Sequence, residues 1–318
     1  MSRRALGPAT LAVVQAVAGA LERADRSLLV ACSGGPDSLA LAAGVAHAAR
    51  GAGLPYAGVV VDHGLQERSA EVADTARAAL TGLGYADVTV VRVEVATDGS
   101  GPEAAGRDAR YAVLTTESAV RGATLLLGHT RDDQAETVLL GLARGSGARS
   151  LAGMAPRADG RLRPLLGLPR STTVACCAEL GLQPWSDPHN VDPAYARVRV
   201  RGRVLPVLED ELGPGVAAAL ARTAALLRAD ADLLDQLAAD AAPDLARDGG
   251  LDCSGLSALP AALRTRVLRD WLRTLGARGL SADHVAAVDA LVTGWHGQGP
   301  AHLPGVRVGR TDGFLRAT

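Results

Sequence analysis

Apolar runs and amphipathic stretches alternate along the first half of the chain. The runs are Leu28–Cys32, Tyr56–Asp62, Val88–Val95 and Thr124–His129. The helical patterns between and after them are Leu39–Ala49, Ser69–Leu83, Glu103–Arg121 and Asp132–Arg144, with Thr10–Ala24 leading in. Continuous Val/Leu runs suit strands covered on both faces, as in a parallel sheet. The strand–helix alternation predicts an α/β doubly wound, mostly parallel sheet. From Met154 to Pro206 the period fades among Pro, Arg and Gly, and this segment is expected to be partly irregular. A long Ala/Leu helix follows (Pro214–Ala242), then two more helical patterns (Pro260–Leu275 and Ala282–Val292). Short strand-like pieces end the chain around Ala301–Leu303, Val306–Arg310 and Phe314–Arg316. The pattern divides the chain at 213/214 into a larger first domain and a smaller C-terminal α+β domain.

Composition narrows this further. The chain has 318 residues, 48% apolar and 21% charged, enough for a large core and two domains. Net charge is −1, so any nucleic-acid surface has to be local. There is no lysine, and every phosphate contact by a strong cation must therefore use arginine. The cysteines (Cys32, Cys176, Cys177, Cys253) form no C-x-x-C pair and read as reduced core thiols. No leader peptide or bilayer-length apolar run is evident, so a cytoplasmic protein without a membrane partner is expected.

Candidate chemistry lies at the ends of the apolar runs. The first run ends in Ser33-Gly34-Gly35-Pro36-Asp37-Ser38. Adjacent glycines let the backbone approach a ligand, and the helix that follows offers unpaired N–H groups and a positive dipole end. Together they make a phosphate seat. No lysine stands in this loop, so it is not the common NTPase loop. A carboxylate at Asp37 beside phosphate calls for a bridging metal ion. The second run ends in Asp62-His63-Gly64, expected beside the nucleotide. The fourth runs into Gly128-His129-Thr130-Arg131-Asp132-Asp133-Gln134-Ala135-Glu136-Thr137. Asp133 and Glu136 share one helical face, fit to hold Mg²⁺ or an ammonium group. In a doubly wound sheet ligands sit at the carboxyl ends of the strands, so these turns are expected to meet at one edge.

The Ser-Gly-Gly-x-Asp-Ser string resembles the PP-loop of the ATP pyrophosphatase superfamily. Val-Asp-His-Gly-Leu (61–65), Gly-His-x-x-Asp-Asp-Gln-Ala-Glu-Thr (128–137), Arg-Gly-Ser-Gly (144–147) and Leu-Ala-Gly-Met (151–154) follow in order. So do Glu103…Arg107…Arg110-Tyr111, Arg163-Pro164-Leu165-Leu166 and Pro184-Trp185-x-Asp187-Pro188-x-Asn190. Over about Leu28–Leu208 this set is similar to the tRNA(Ile)-lysidine synthetase family, and the tail resembles its small substrate-binding domain.

The resemblance implies ATP, Mg²⁺, L-lysine and the isoleucine tRNA with a CAU anticodon. ATP adenylates the 2-carbonyl oxygen of the wobble cytidine, and the lysine ε-amine then displaces AMP. It implies Ser33, Gly34, Gly35, Pro36, Asp37, Ser38, Asp62, His63, Gly128 and His129 at the nucleotide. Asp37, Asp133 and Glu136 carry catalysis, with Asp37 and Asp133 on the metal. Arg107, Arg110, Tyr111, Asp132, Arg163, Arg197 and Arg201 face the other substrates. Two positions depart from the family pattern. Val198 replaces an Asn in the segment Arg197–Arg203, which is expected to be helical, and Gly106 stands where Ala is usual. Thiolases of the superfamily deliver sulfur through cysteines, and no cysteine lies near 128–136 here. A non-catalytic nucleotide sensor hardly needs three acids, and amidotransferase-coupled synthetases need a further domain. A homodimer is left open by the sequence.

Overall fold

The computed structural model describes residues 5–62, 64, 68–93, 102–145, 147–186, 192–247 and 249–318, with side chains at 102–105 excluded. The chain divides into two compact units, Met1–Leu226 and Leu227–Thr318.

The first unit opens with α1 (Pro8–Ala20), then β1 (Leu28–Ala31), α2 (Pro36–Ala52), β2 (Tyr56–Asp62), α3 (Ser69–Gly82), β3 (Val88–Arg92), α4 (Pro102–Arg121) and β4 (Thr124–Leu126). Then come α5 (Arg131–Ala143), α6 (Ala148–Leu151), the hairpin strands β5 (Arg157–Ala158) and β6 (Arg161–Leu162), and α7 (Arg170–Glu179). A helical stretch follows in three pieces: α8 (Ala196–Arg199), a π turn (Val200–Val204) and α9 (Leu205–Glu211). The sheet order is β3-β2-β1-β4-β6-β5, parallel except for the β5/β6 hairpin. Leu28 pairs with both Tyr56 and Thr124, so β1 is central.

Side-chain alternation along β1 explains the continuous apolar run. Leu28 and Val30 pack with α1, α2 and α7 through Val13, Val17, Leu39, Val45 and Cys177. Leu29 points the other way, to Val59, Leu114 of α4 and Leu125. Both faces are covered, which makes the sheet doubly wound as expected. The chain winds outward from β1 to β3 and then crosses to β4. The crevice between β1 and β4 is therefore the switch point where a ligand binds.

The segment 154–206 is more regular than expected. It contains β5, β6, a 3₁₀ turn (Pro164–Gly167) and α7. Ser171, Thr172, Thr173 and Val174 are weak helix formers, so the local pattern hides α7. Burial of Thr173, Cys176 and Cys177 against the core stabilises it instead.

Helix α10 (Val216–Leu245) spans the division between the units. The second unit holds β7 (Ala246–Arg247), β8 (Gly250–Asp252), α11 (Cys253–Ala258), α12 (Ala261–Thr274), α13 (Ala282–Thr293), β9 (Ala301–Leu303), β10 (Val306–Thr311) and β11 (Phe314–Ala317). Its antiparallel sheet runs β7-β8-β11-β10-β9 over a core that includes Leu251, Leu256, Leu268, Leu272, Val288, Leu291 and Leu315. Among the described residues no helix is long and apolar enough to cross a membrane.

Candidate active site

Residues 33–38 turn sharply out of β1 into α2. Gly34 has φ +81°, a conformation that glycine adopts without strain, and its carbonyl accepts the Trp185 N–H at 3.0 Å. The Ser38 hydroxyl braces the loop from within. It donates to the Gly35 carbonyl at 2.9 Å and accepts the Ser33 N–H at 3.2 Å. Pro36 starts α2, and no side chain caps the helix. Its first N–H groups are thus left for an anion.

Gly128, at the end of β4, lies against the first turn of α2. A Cβ there would sit 2.8 Å from the Asp37 carbonyl oxygen and 3.1 Å from the Ser38 nitrogen. Only glycine lets the end of β4 close on the first turn of α2.

A cavity of about 620 Å³ opens at this edge. Ser33, Gly35, Pro36, Asp37 and Ser38 line it, with Asp62, Gly128, His129 and Asp133. Arg107, Arg110, Tyr111, Arg197 and Arg201 do so too. Turns far apart in sequence therefore meet at one edge. The lining also includes Arg170, Trp185, Tyr195 and Val198. Val198 faces the cavity, so the departure from the family pattern falls inside the site. Gly34, Asp132, Glu136 and Arg163 do not line it, and His63, Asp187 and Asn190 lie outside the described residues.

The acids differ in what they hold. Asp37 accepts a hydrogen bond from the Thr173 hydroxyl, and its Oδ2 lies 3.8 Å from Arg170 Nε. Burial pushes its carboxyl up; Thr173, Arg170 and Arg201 oppose this, while Asp133 adds to the rise. Asp133 Oδ2 accepts the Thr130 N–H and hydroxyl in a capping box, and its Oδ1 lies 3.2 Å from Arg201 Nη2. Glu136 is fully enclosed. Its Oε1 accepts from Arg201 Nε at 2.6 Å; Arg197 Nη1 is 3.9 Å from Oε2. Burial pushes the Glu136 carboxyl up, and Arg201 opposes it. Asp132 turns away from the cavity and accepts the Arg170 N–H at 2.8 Å, capping α7.

Tyr111 sits among cations. The guanidinium carbons of Arg107, Arg110 and Arg161 lie 5.0, 5.7 and 5.3 Å from its ring centre. Burial pulls Arg110 and Arg163 below the usual arginine range. Arg163 Nη1 donates to the Ala155 carbonyl at 2.8 Å. Burial also lowers His129 to about 4, leaving it neutral at neutral pH. The wall around Tyr111 is thus strongly cationic.

Comparison with known proteins sets this site in a family. A PP-loop domain matches residues 10–208 and a TilS substrate-binding domain matches 251–316. The tRNA(Ile)-lysidine synthase of Thermobifida fusca is 56% identical, covering 93% of this chain and 94% of that one. The chain belongs to the tRNA(Ile)-lysidine synthase family. The synthase of Leifsonia xyli subsp. xyli is 55% identical over 91% of this chain and 88% of its own. That of Mycobacterium tuberculosis is 52% identical over 90% and 89%. A solved U34-tRNA thiolase from Methanococcus maripaludis, with its [4Fe-4S] cluster, shares the fold. It has a TM-score of 0.57 and 20% identity, covering 69% of this chain and 80% of that one. Membership makes this an ATP-using PP-loop enzyme.

Sequence reasoning passed over Arg170, Thr173 and Tyr195. Arg170 follows the Leu168-Pro169 pair, and a proline before a polar run is a helix-start signal. Thr173 and Tyr195 carry no local signal; only the tertiary fold brings them to the site.

Proposed function

We propose that this protein joins the ε-amine of L-lysine to the wobble cytidine of tRNA(Ile) with a CAU anticodon, forming lysidine with release of AMP and pyrophosphate. The observation that carries this is the meeting, in one cavity, of a phosphate-seating loop, three carboxylates (Asp37, Asp62 and Asp133) and an arginine–tyrosine wall. The first domain performs the chemistry, and the C-terminal domain binds the tRNA.

The cytidine 2-carbonyl oxygen attacks the α-phosphorus, and the bond to pyrophosphate breaks. Negative charge then grows on the departing group. In this reading the N–H groups of Gly35, Asp37 and Ser38, where the loop enters α2, stabilise it. Asp37 and Asp133 fit Mg²⁺, which commonly takes one or two carboxylates and completes its shell with phosphate and water. Their mutual repulsion, part of the rise at Asp37, is what such a cation relieves. Bound there, Mg²⁺ supplies charge neutralisation for the pyrophosphate.

The lysine ammonium must shed a proton before its nitrogen attacks the cytidine carbon and AMP leaves. In this reading Asp133, on the cavity wall, binds it and accepts that proton in the second step, after pyrophosphate has left. Glu136 holds Arg201, whose guanidinium in turn bonds Asp133. Glu136 thus acts through Arg201 as a positioning residue. Arg107, Arg110 and Tyr111 form the wall for the splayed cytidine and its phosphates. Sulfur delivery by a thiol does not suit this chain. Its four cysteines are buried, and burial pushes the Cys177 thiol up to about 12.

Incubation of the enzyme and CAU-anticodon tRNA(Ile) with α-labelled ATP, lysine withheld, tests the first step. The expected result is labelled AMP on the tRNA, chased off by lysine. Labelled tRNA that lysine does not discharge would refute the second step; no label at all would refute the first.

A further inference from the structure

Arg170 lines the cavity and is assigned no part in the chemistry above. Its backbone is fixed at both ends. Its N–H is held by Asp132 at 2.8 Å, and its carbonyl accepts the Thr173 hydroxyl at 2.7 Å. Just before it, the Leu168 carbonyl accepts the Arg131 N–H at 2.9 Å. The side chain is loose by comparison. Its one ionic contact among the described residues is Nε to Asp37 Oδ2 at 3.8 Å, beyond hydrogen-bond length. No guanidinium hydrogen bond is made among those residues, and the side chain is 26% exposed. A guanidinium carries five N–H donors. The start of α7 therefore presents a charged arm on a rigid mount, with guanidinium donors that no described residue takes up.

Its position decides what those donors serve. Asp37 stands in the first turn of α2, where the loop seats phosphate. A carboxylate there repels phosphate unless positive charge shares that corner, which Mg²⁺ would supply in part and a cationic side chain can supplement. No lysine exists in the chain to provide one. Arg197 and Arg201 are drawn toward Glu136 and Asp133. Among the described residues the acid that Arg170 pairs with is Asp37 itself.

We infer that Arg170 is a phosphate-binding arm of the nucleotide site: it leans on Asp37 and turns to the β- and γ-phosphates when ATP enters. Asp132 is then its positioning residue, acting through the α7 cap. This rests on the ATP-using reading of the site and extends it to a residue on another element.

The test is calorimetric titration of the full chain with ATP, AMP and pyrophosphate, with Mg²⁺ present and no tRNA, so that no turnover is read. The Arg170→Ala variant is expected to bind ATP and pyrophosphate roughly 10- to 100-fold more weakly, the range of a lost charge-assisted bond. AMP affinity should stay within about twofold. Arg170→Lys should recover part of the loss, because it keeps the charge without the fork. Should Arg170→Ala fail to fold, Arg170→Gln, which keeps the stem, carries the same comparison. ATP and AMP weakened alike would mean a distorted site and overturn the inference. So would ATP affinity within about twofold of wild type. If the wild-type chain binds no ATP, the nucleotide site itself is wrong. If it does and Arg170→Ala matches it, only the role of Arg170 falls.

Discussion

Replacing Arg201 with alanine isolates the electrostatics under the cavity. Glu136 is fully buried, Arg201 Nε donates to its Oε1 at 2.6 Å, and its Oε2 has no hydrogen-bond partner among the described residues. Removing one partner of a buried pair costs about 3–5 kcal/mol. Arg201 is 30% exposed and Arg197 remains 3.9 Å from the carboxylate. Both discount the loss, to about 2–3 kcal/mol. The penalty depends on pH. Burial raises the folded-state pKa of Glu136, and without Arg201 it rises further. The folded state then keeps a proton that the unfolded chain gives up near the ordinary 4.5. The Arg201→Ala deficit is thus small below that pH and grows above it. Adding Glu136→Gln removes the stranded charge and should recover about 1–2 kcal/mol. Urea unfolding followed by circular dichroism across pH measures all three proteins. A loss under about 0.5 kcal/mol for Arg201→Ala, or a double variant no more stable than the single, would refute the coupling.

Three further outcomes follow from the same structure. Gly128→Ala forces a Cβ to 2.8 Å from the Asp37 carbonyl oxygen, so α2 must shift. Expect about 1–3 kcal/mol lost in chemical denaturation and clearly weaker ATP binding by calorimetry; normal binding would mean the strand end tolerates bulk. At Asp25 burial pushes the carboxyl up, but hydrogen bonds from Arg157, the Glu22 N–H and Thr124 win and hold it at about 2. That is worth about 2 kcal/mol, present above the ordinary 3.8 and lost as pH falls toward 2. Arg157→Ala should lose most of it at neutral pH and converge with wild type in acid; parallel curves would contradict the assignment. Asp37→Asn should abolish tRNA-dependent ATP–pyrophosphate exchange without lowering the unfolding midpoint, since burial already disfavours the charge. Near-normal exchange would remove Asp37 from the metal site.

The sheet was legible because apolar runs and glycine turns are local signals. Leu28, Tyr56, Val88 and Thr124 each begin a strand as the pattern predicts. The parallel order follows from the helices between them. The convergence of Ser33–Ser38, Asp62 and Gly128–Asp133 is then a consequence of topology. What stayed hidden depends on contacts across long sequence separations. Nothing local tells that Glu136 is enclosed, because its partner Arg201 lies on another helical stretch. Asp132 and Asp133 look alike in sequence, yet one caps α7 and the other caps its own helix and meets Arg201. Helix α7 carries Thr and Val in its first turns, so its pattern is weak although its buried face is not. The π turn at Val200–Val204 interrupts the helical stretch expected over Arg197–Arg203. Arg201 lies within it, so the irregular turn sets where that side chain points.

Incubation with ATP, radiolabelled lysine and a panel of tRNAs sharing the CAU anticodon probes the whole proposal in one step. Label should enter the isoleucine tRNA alone, and only with ATP present. Label on the methionine tRNAs as well, or on none, would contradict lysidine formation as the activity of this site.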